Sequence, residues 1–217
     1  KSLRFNPLKD NNILIRDSDN EILISQKLRG YFYFKSINNR FESLGKMYFF
    51  DIINFGKDDI IVDCGANIGE IYNSIKLFSN NKFYYFGFEP VKSEFELLKL
   101  NTVNNIEKPL ALYSKSEYKK LYIHKEGADS TLIQDTRYPE NDNVQCLRLD
   151  DIKTFENKSI KLLKLEAEGA ELEVLHGCGE FLKDIEFISA DLGFELEQGT
   201  KSNEKEVTDF LLNNNFY

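Results

Sequence analysis

The stretch "IIVDCGANIGE", Ile60 to Glu70, is an apolar run that breaks at small residues and continues with helix-forming residues. Its first three residues are β-branched and apolar, as expected of a central strand that is buried on both faces. Asp63, Gly65 and Gly69 come next, and glycines let the backbone bend sharply and approach a ligand. A following helix would offer its N-terminal amides to that ligand. The stretch therefore predicts a strand, a binding turn and a helix.

The rest of the chain repeats this alternation of short apolar runs and amphipathic stretches. Such alternation is typical of a Rossmann-like α/β fold, with a mostly parallel central sheet and helices on both faces. The apolar runs are "IIVDC", "FYYFGF", "KPLALY", "IKLLKL" and "EFISAD". Helices are predicted at 68–79, 91–104, 170–176 and 204–214. We interpret 114–145 as an insertion of extended pieces and loops on the ligand side of the sheet.

The first part of the chain differs in pattern from the rest. Residues 1–57 are rich in Asn and aromatic residues, with apolar positions at mixed spacings, and are predicted to form a helical extension. The aromatic residues at 31–34 and 48–50 are expected in the core rather than in a platform for sugar rings. Because no linker rich in Gly, Ser or Pro divides the chain, a single domain over 1–217 is predicted, with its core at 58–217.

Composition narrows the classes of function. A 217-residue chain with 41% hydrophobic and 29% charged residues is typical of a soluble domain. Its net charge of -8 disfavours nucleic acid and anionic membranes as partners. The sequence shows neither an apolar run long enough to span a bilayer nor a secretion signal. Three widely spaced cysteines without a C-x-x-C motif indicate neither a disulfide framework nor a zinc site, so a cytoplasmic location is expected.

The residue order in the turn separates two common nucleotide cofactors. A dinucleotide site has the pattern G-x-G-x-x-G, whereas this turn reads D-x-G-x-N-x-G. Asp63 would repel a pyrophosphate but would pair with the ammonium group of an amino-acid moiety, which favours S-adenosylmethionine over NAD. The predicted cofactor-binding residues in the turn are Asp63, Gly65, Ala66, Asn67 and Gly69.

The next apolar run, "FYYFGFEP", ends in Glu89 and Pro90. An acid at the end of the second strand is placed to accept hydrogen bonds from both ribose hydroxyls of a nucleoside. Gly69 and Glu89 are 20 residues apart, which is the interval that one helix and one strand require. Since NAD and S-adenosylmethionine both carry the ribose diol, Glu89 indicates a nucleoside without choosing between them.

Five motifs follow one another along the chain: "VDCGANIG" (62–69), "GFEP" (87–90), "ADSTLI" (128–133), "LRLDDI" (147–152) and "LLKLEAEGAELEVLHG" (162–177). Their combination and order resemble those of the FkbM-like methyltransferases, a branch of the class I S-adenosylmethionine-dependent enzymes. The resemblance covers roughly residues 58–195. In the last motif the family usually has Lys-Ile-Asp-Val-Glu-Gly-Ala-Glu, so Glu166 and Ala167 replace Asp and Val here. The family also usually ends its sheet with an antiparallel hairpin, and we expect that hairpin to be missing after Tyr217.

The resemblance implies methyl transfer from S-adenosylmethionine to a hydroxyl, often of a sugar or polyketide, so the expected partner is a small-molecule or glycan acceptor. An alcohol is a poor nucleophile at neutral pH and needs a base or a Lewis acid. Glu166 and Asp191 follow two strands expected to be adjacent. Their placement resembles the carboxylate pair that holds a divalent cation in catechol-type O-methyltransferases, and hard oxygen ligands suit Mg²⁺ or Mn²⁺.

Other assignments stay open at this stage. Glu168 or His176 is an alternative catalytic base that needs no metal. Each also suits a structural role, Glu168 at a helix N-terminus and His176 at a helix C-terminus. Ser130, together with Asp129, either lines the pocket or forms a turn. As whole functions, an NAD-dependent oxidoreductase and a non-catalytic S-adenosylmethionine-binding partner subunit remain alternatives.

Overall fold

The computed structural model describes residues 3–8, 11–18, 20–25, 27–123, 130–134, 140–194, 196 and 200–217. Short 3-10 helices, including Lys27–Tyr33, connect several of its elements. Its strands and α-helices, in chain order, are β1 (Arg4–Pro7), β2 (Ile13–Arg16), β3 (Glu21–Ile24), α1 (Ile37–Met47), β4 (Ile60–Cys64), α2 (Glu70–Phe78), β5 (Tyr84–Phe88), α3 (Lys92–Asn101), β6 (Ala111–Leu112), β7 (Glu117–Ile123), β8 (Glu140–Leu147), β9 (Ile160–Leu165), α4 (Glu171–Cys178), β10 (Ile185–Ala190) and α5 (Glu204–Asn213).

A parallel four-stranded sheet in the order β10-β9-β4-β5 forms the centre of the described structure. The chain leaves β4 towards β5 on one side, while β9 lies on the other side. Ligands of open α/β sheets bind at such a switch point, outside the carboxyl ends of the strands. The predicted α/β fold with a parallel sheet is confirmed, and the predicted turn after β4 lies at the switch point.

The central sheet is buried on both faces, as predicted for its first strand. Successive strand residues point to opposite faces of a sheet. Ile61 and Val62 are both fully buried, and they belong to separate apolar clusters, one on each face. Helices α2 and α3 contribute Ile71 and Phe95 to one cluster, and α4 contributes Val174 to the other. The four predicted helices are present and end within a few residues of their predicted bounds.

The N-terminal segment is not the purely helical extension that the sequence pattern suggested. Strands β1, β2 and β3 pair in an antiparallel sheet before α1 begins. Alternate isoleucines of "ILIR" and "EILI" are buried, which is the period of two that a half-buried strand requires. The aromatic residues also divide. Tyr33, Tyr48 and Phe50 are buried as predicted, whereas Tyr31, Phe32, Phe34 and Phe49 are exposed.

The insertion at 114–145 contains extended chain, as predicted. Strand β8 pairs antiparallel with β7 and parallel with the short β6, so "KPLALY" joins this second sheet rather than the central one. Asp129 lies outside the described residues. No described helix is long and apolar enough to cross a membrane.

The turn after β4 brings two backbone segments into close contact at Gly65. Its φ is +75°, and a Cβ built there would lie 2.0 Å from the carbonyl oxygen of Glu166, the residue that follows β9. Only glycine combines that conformation with that approach. The turn after β4 and the loop after β9 can therefore pack this closely only because residue 65 has no side chain.

We expect Gly65→Ala to lower the free energy of unfolding by about 3 kcal/mol, because it adds left-handed strain and a backbone overlap. Gly56→Ala is the matched control, since the nearest atom to its added Cβ is the Asp59 Oδ1 at 3.3 Å. Urea unfolding of both variants measures the difference. Equal losses in the two variants would contradict the packing described for Gly65.

Candidate functional site

A cavity of about 460 Å³ opens at the carboxyl ends of β4, β5 and β9. Its size lies within the range of about 300–1,000 Å³ that is usual for small-molecule sites. The cavity is bordered by the turn after β4, the loops after β5 and β9, the insertion and the N-terminal segment. Eight of the twelve predicted site residues line it: Gly65, Ala66, Asn67, Glu89, Pro90, Ser130, Glu166 and Glu168.

Glu89 holds the turn in place from the end of β5. Its Oε2 accepts a hydrogen bond from the Asn67 amide at 2.8 Å, and its Oε1 accepts one from the Val91 amide at 2.7 Å. The carboxyl is 5% exposed, and burial raises its pKa to about 7, even though the amide of Val91 opposes the shift. Glu89 is thus a carboxyl group at the cavity wall that changes its ionisation near neutral pH.

Lys164 lies buried beneath the turn and joins β9 to β4. The strand register places it directly beside Asp63, and its Nζ lies 3.3 Å from Asp63 Oδ1 and 2.8 Å from Glu166 Oε2. The same ammonium donates to the carbonyl oxygen of Gly65 at 2.9 Å. Burial alone would lower the pKa of Lys164, but the carboxylates of Asp63 and Glu166 outweigh it and raise the pKa, so Lys164 is charged.

Glu166 is held on two sides at the cavity wall. Besides Lys164, the hydroxyl of Tyr48 donates to Glu166 Oε2 at 2.9 Å. Burial favours the neutral acid, but Lys164 and Tyr48 outweigh it and lower the pKa of Glu166. Tyr48 lies just after α1, so the N-terminal segment contributes a hydrogen-bond donor to the site. Glu166 therefore stays ionised and is a weak base.

Glu171, the first residue of α4, fixes the loop between Glu166 and the helix through hydrogen bonds. Its Oε1 accepts hydrogen bonds from the amides of Ala167 at 2.7 Å and Gly169 at 3.2 Å, and Asn203 donates to its Oε2 at 2.6 Å. Glu168 adopts a φ of +50°, and its carbonyl oxygen accepts from the Thr131 hydroxyl at 2.6 Å. The N-cap of α4 is Ala170, so Glu168 lies two residues before the cap, at the edge of the cavity.

A second ionic cluster ties the N-terminal segment to the first turn of α2. The buried Glu70 forms ion pairs with Arg29 at 3.2 Å and Arg40 at 2.7 Å. The hydroxyl of Tyr33 also donates to Glu70, at 2.6 Å. Burial opposes ionisation of Glu70, but Arg40 and Arg29 outweigh it and lower its pKa. Arg29 also donates to the Asn67 side chain in the turn, so this cluster covers one side of the cavity.

Four predicted site residues do not line the cavity. Asp63 is fully buried behind the turn, where it pairs with Lys164 and accepts a hydrogen bond from Tyr85. The prediction that its carboxylate pairs with the ammonium group of a ligand is therefore wrong, because that carboxylate does not reach the cavity. Gly69 is the N-cap of α2 and packs against Thr102. Asp191 follows β10 and is exposed.

His176 is placed where it cannot act as the predicted base. It lies in the last turn of α4, is exposed, and packs edge-on against Phe210 of α5 with ring centroids 5.0 Å apart. A helix that follows a parallel strand runs back towards the opposite edge of the sheet, so its last turn lies away from the cavity. Its position agrees with the structural alternative.

The predicted metal ligands do not form a site suited to a divalent cation. Among the described residues, no three His, Cys, Asp or Glu side chains are grouped as metal ligands are. One oxygen of Glu166 is already bound by the ammonium of Lys164 and the hydroxyl of Tyr48, and a divalent ion there would face that ammonium. The described donor set therefore gives the predicted Mg²⁺ or Mn²⁺ no support.

Comparison with known proteins agrees with the arrangement of the turn after β4, Glu89 and the loop after β9. Residues 63–216 match the family model described as the Methyltransferase FkbM domain. The chain belongs to the FkbM methyltransferase family. The crystal structure of methyltransferase FkbM from Methylobacillus flagellatus KT is similar, with a TM-score of 0.51 and 16% sequence identity. That likeness covers 75% of this chain and 39% of the other, and it supports the fold alone. No curated protein matches the sequence significantly.

The sequence analysis missed several residues that line the cavity of this member of the FkbM methyltransferase family. Lys164 carried a readable signal, because a lysine inside the apolar run "IKLLKL" needs a buried partner. Tyr48, Arg29 and Arg40 carried none, since they reach the cavity from the N-terminal segment only through the tertiary fold. The roles of the eight predicted residues that line the cavity remain predictions.

We expect Lys164→Met to lower the free energy of unfolding by about 3–5 kcal/mol, because it leaves Asp63 buried without its cation. Adding Asp63→Asn to that variant should restore part of the loss. Lys161→Met is the matched control on the same strand, since Lys161 pairs with the half-exposed Glu186 and its loss should cost about 1 kcal/mol or less. Urea unfolding of the four proteins tests this, and a Lys164 loss no larger than the control's would contradict it.

The raised pKa of Glu89 predicts a pH dependence of stability. Its folded pKa of about 7 exceeds the unfolded value, so the folded state binds the extra proton, and stability falls as pH rises through roughly 4.5 to 7. The free energy of unfolding of Glu89→Gln minus that of wild type should therefore rise by up to about 3 kcal/mol as the pH goes from 5 to 8. Urea unfolding at both pH values measures the change, and a pH-independent difference would contradict the assignment.

Proposed function

We propose that the protein transfers a methyl group from S-adenosylmethionine to a hydroxyl of a sugar or glycan intermediate. The observation that carries this proposal is a cavity at the sheet's switch point, bordered by the turn after β4 and by Glu89, in a chain of the FkbM methyltransferase family. The hydroxyl acceptor and its sugar nature rest on the resemblance described above. A cytoplasmic location remains part of the same proposal.

The charge of the cavity supports a sulfonium cofactor over a dinucleotide. The described lining residues include five glutamates and three basic residues. The resulting excess of negative charge attracts the sulfonium and ammonium groups of S-adenosylmethionine and repels the pyrophosphate of NAD. The glutamates are Glu70, Glu89, Glu94, Glu166 and Glu168, and the basic residues are Arg29, Arg40 and Lys164.

In the proposed binding mode, Glu89 accepts hydrogen bonds from the cofactor ribose. Both of its oxygens are already fixed by backbone amides, so its position is set before a ligand arrives. The close backbone at Gly65 and Ala66 leaves room for the methionine part of the cofactor. S-adenosylmethionine supplies an electrophilic methyl group on a cationic sulfur, and the protein supplies orientation.

We assign the role of general base to Glu168. It lines the cavity on a loop fixed by Glu171 and Thr131, and it has a positive φ, which is more common at functional sites than elsewhere. Glu168 takes the proton of the acceptor hydroxyl as the oxygen–carbon bond forms and the carbon–sulfur bond breaks. Glu166, kept ionised by Lys164, orients the ligands and does not exchange the proton. No step in this mechanism needs a metal ion.

The cofactor half of the proposal is tested by calorimetric titration with S-adenosylhomocysteine. We expect micromolar binding to wild type and a loss of about 10-fold or more in Glu89→Ala, from the lost hydrogen bonds. Glu96→Ala is the control, because Glu96 lies on α3 in a surface pair with Lys99. Absence of binding to wild type would sink the proposal, and binding of NAD instead would support the oxidoreductase alternative.

The catalytic half is tested with a panel of sugar acceptors and labelled S-adenosylmethionine. Glu168→Gln should lower kcat by about 10² or more while leaving cofactor affinity unchanged. Rates with a chelator and with added Mg²⁺ or Mn²⁺ should agree. Cofactor binding without transfer to any acceptor would favour the non-catalytic partner subunit, for which the Glu166 replacement is the supporting observation.

A further inference from the structure

The two arginines of the ionic cluster at the cavity keep unused hydrogen-bond donors. Arg29 and Arg40 both line the cavity, and their side chains are 15% and 19% exposed. Arg29 donates to Asn67 and to Glu70, and Arg40 makes two hydrogen bonds to Glu70. A guanidinium group has five N–H groups, so these contacts use four of ten, and the other six have no hydrogen-bond partner among the described residues.

The cluster also carries an excess of positive charge. Glu70 is the carboxylate that both arginines share, and its lowered pKa keeps it ionised. Tyr33, which also donates to Glu70, is neutral because burial raises its pKa. Two guanidinium groups paired with one carboxylate leave a net charge of +1. A charge that is largely removed from water is costly unless it is paired, so a bound anion would stabilise the cluster.

The turn after β4 does not offer its amides to an anion, as the sequence suggested it would. All five amides of residues 65–69 donate within the protein. Those of Gly65 and Ala66 donate to the carbonyl oxygen of Phe88, and that of Asn67 donates to Glu89. An anionic group beside this turn must therefore find its donors elsewhere. Arg29 lies next to the turn, because it donates to the side chain of Asn67.

Both arginines belong to the segment that precedes the family domain. The family match begins at residue 63, whereas Arg29 lies in the 3-10 helix Lys27–Tyr33 and Arg40 lies in α1. The charge of Arg29 reaches the loop after β9, since it contributes to the lowered pKa of Glu166. Arg40 lies over the ring of Phe32, with its guanidinium carbon 4.5 Å from the ring centroid. The N-terminal segment thus adds a fixed basic pair to the cavity wall.

We propose that Arg29 and Arg40 form a subsite that binds a carboxylate group of a ligand in the cavity. The assignment rests on the proposed function, because the methionine part of S-adenosylmethionine, placed beside Gly65 and Ala66, carries such a group. A planar guanidinium matches a carboxylate through two parallel N–H···O bonds. An acidic sugar acceptor carries the same group, so the experiment separates the two sources.

The test is calorimetric titration of the full chain with S-adenosylhomocysteine and with its carboxamide analogue, in which a neutral amide replaces the carboxylate. Arg29→Gln should weaken S-adenosylhomocysteine binding by about 10-fold or more, because charge-assisted hydrogen bonds to the carboxylate are lost. The same variant should weaken binding of the carboxamide by less than about 2-fold. Arg29→Lys keeps the charge without the planar fork and should weaken S-adenosylhomocysteine binding by about 3-fold.

Two comparisons separate this role from a structural one. Arg16→Gln is the matched control, because Arg16 lies on β2 in an exposed pair with Glu21 and does not line the cavity. It should bind both ligands like wild type. Equal losses for S-adenosylhomocysteine and the carboxamide in Arg29→Gln would mean that Arg29 acts only by holding Asn67, and would overturn the assignment.

A second arm uses glucuronate and glucose as acceptor probes in the presence of saturating S-adenosylhomocysteine. If Arg29→Gln leaves S-adenosylhomocysteine affinity unchanged but weakens glucuronate binding by about 10-fold without affecting glucose, the carboxylate belongs to the acceptor. Unchanged S-adenosylhomocysteine affinity without an effect on glucuronate would overturn the subsite while leaving the cofactor site intact. Absence of S-adenosylhomocysteine binding to wild type would overturn both proposals together.

Discussion

The buried ion pair between Lys164 and Asp63 is the contact on which the rest of the site depends. It joins the two central strands side by side, and the same ammonium holds Glu166 and the carbonyl oxygen of Gly65. An ammonium in an apolar interior is costly unless every donor finds an acceptor. The cost is offset here by acceptors from both strand ends, so the turn after β4 and the loop after β9 are fixed relative to each other.

The cavity wall is assembled from parts of the chain that are distant in sequence. The central sheet supplies the turn, Glu89 and Glu166, while the N-terminal segment supplies Tyr48 and the arginine cluster around Glu70. These contacts cross between segments through charged or polar groups, and they stand beside the apolar packing of residues such as Leu44 against Ile71. Charge-assisted hydrogen bonds are directional, and they set the position of cavity residues more narrowly than packing alone would.

The sequence predicted correctly those features that depend on the local pattern of a single strand, helix or turn. The alternation of apolar runs and helical stretches predicted the parallel sheet and the four core helices, and the turn at Gly65 and the acid at Glu89 were both placed at the cavity. Prediction failed where a side chain's role depends on its neighbour across the sheet. Asp63 reads as a ligand-facing acid in sequence, but Lys164 lies beside it in the register and binds it.

By itself, the sequence determined the fold class, the glycine turn and the family, because these follow from local periodicity and short motifs that keep their meaning without a partner. Only the tertiary structure decided which acids face the cavity. Strand register turned Asp63 inward towards Lys164, the direction of α4 carried His176 to the opposite edge, and the N-terminal sheet brought Ser25 against Glu94. Register and packing depend on pairings between residues far apart in the chain, and a strand buried on both faces is a continuous apolar run whose pattern does not by itself fix its register.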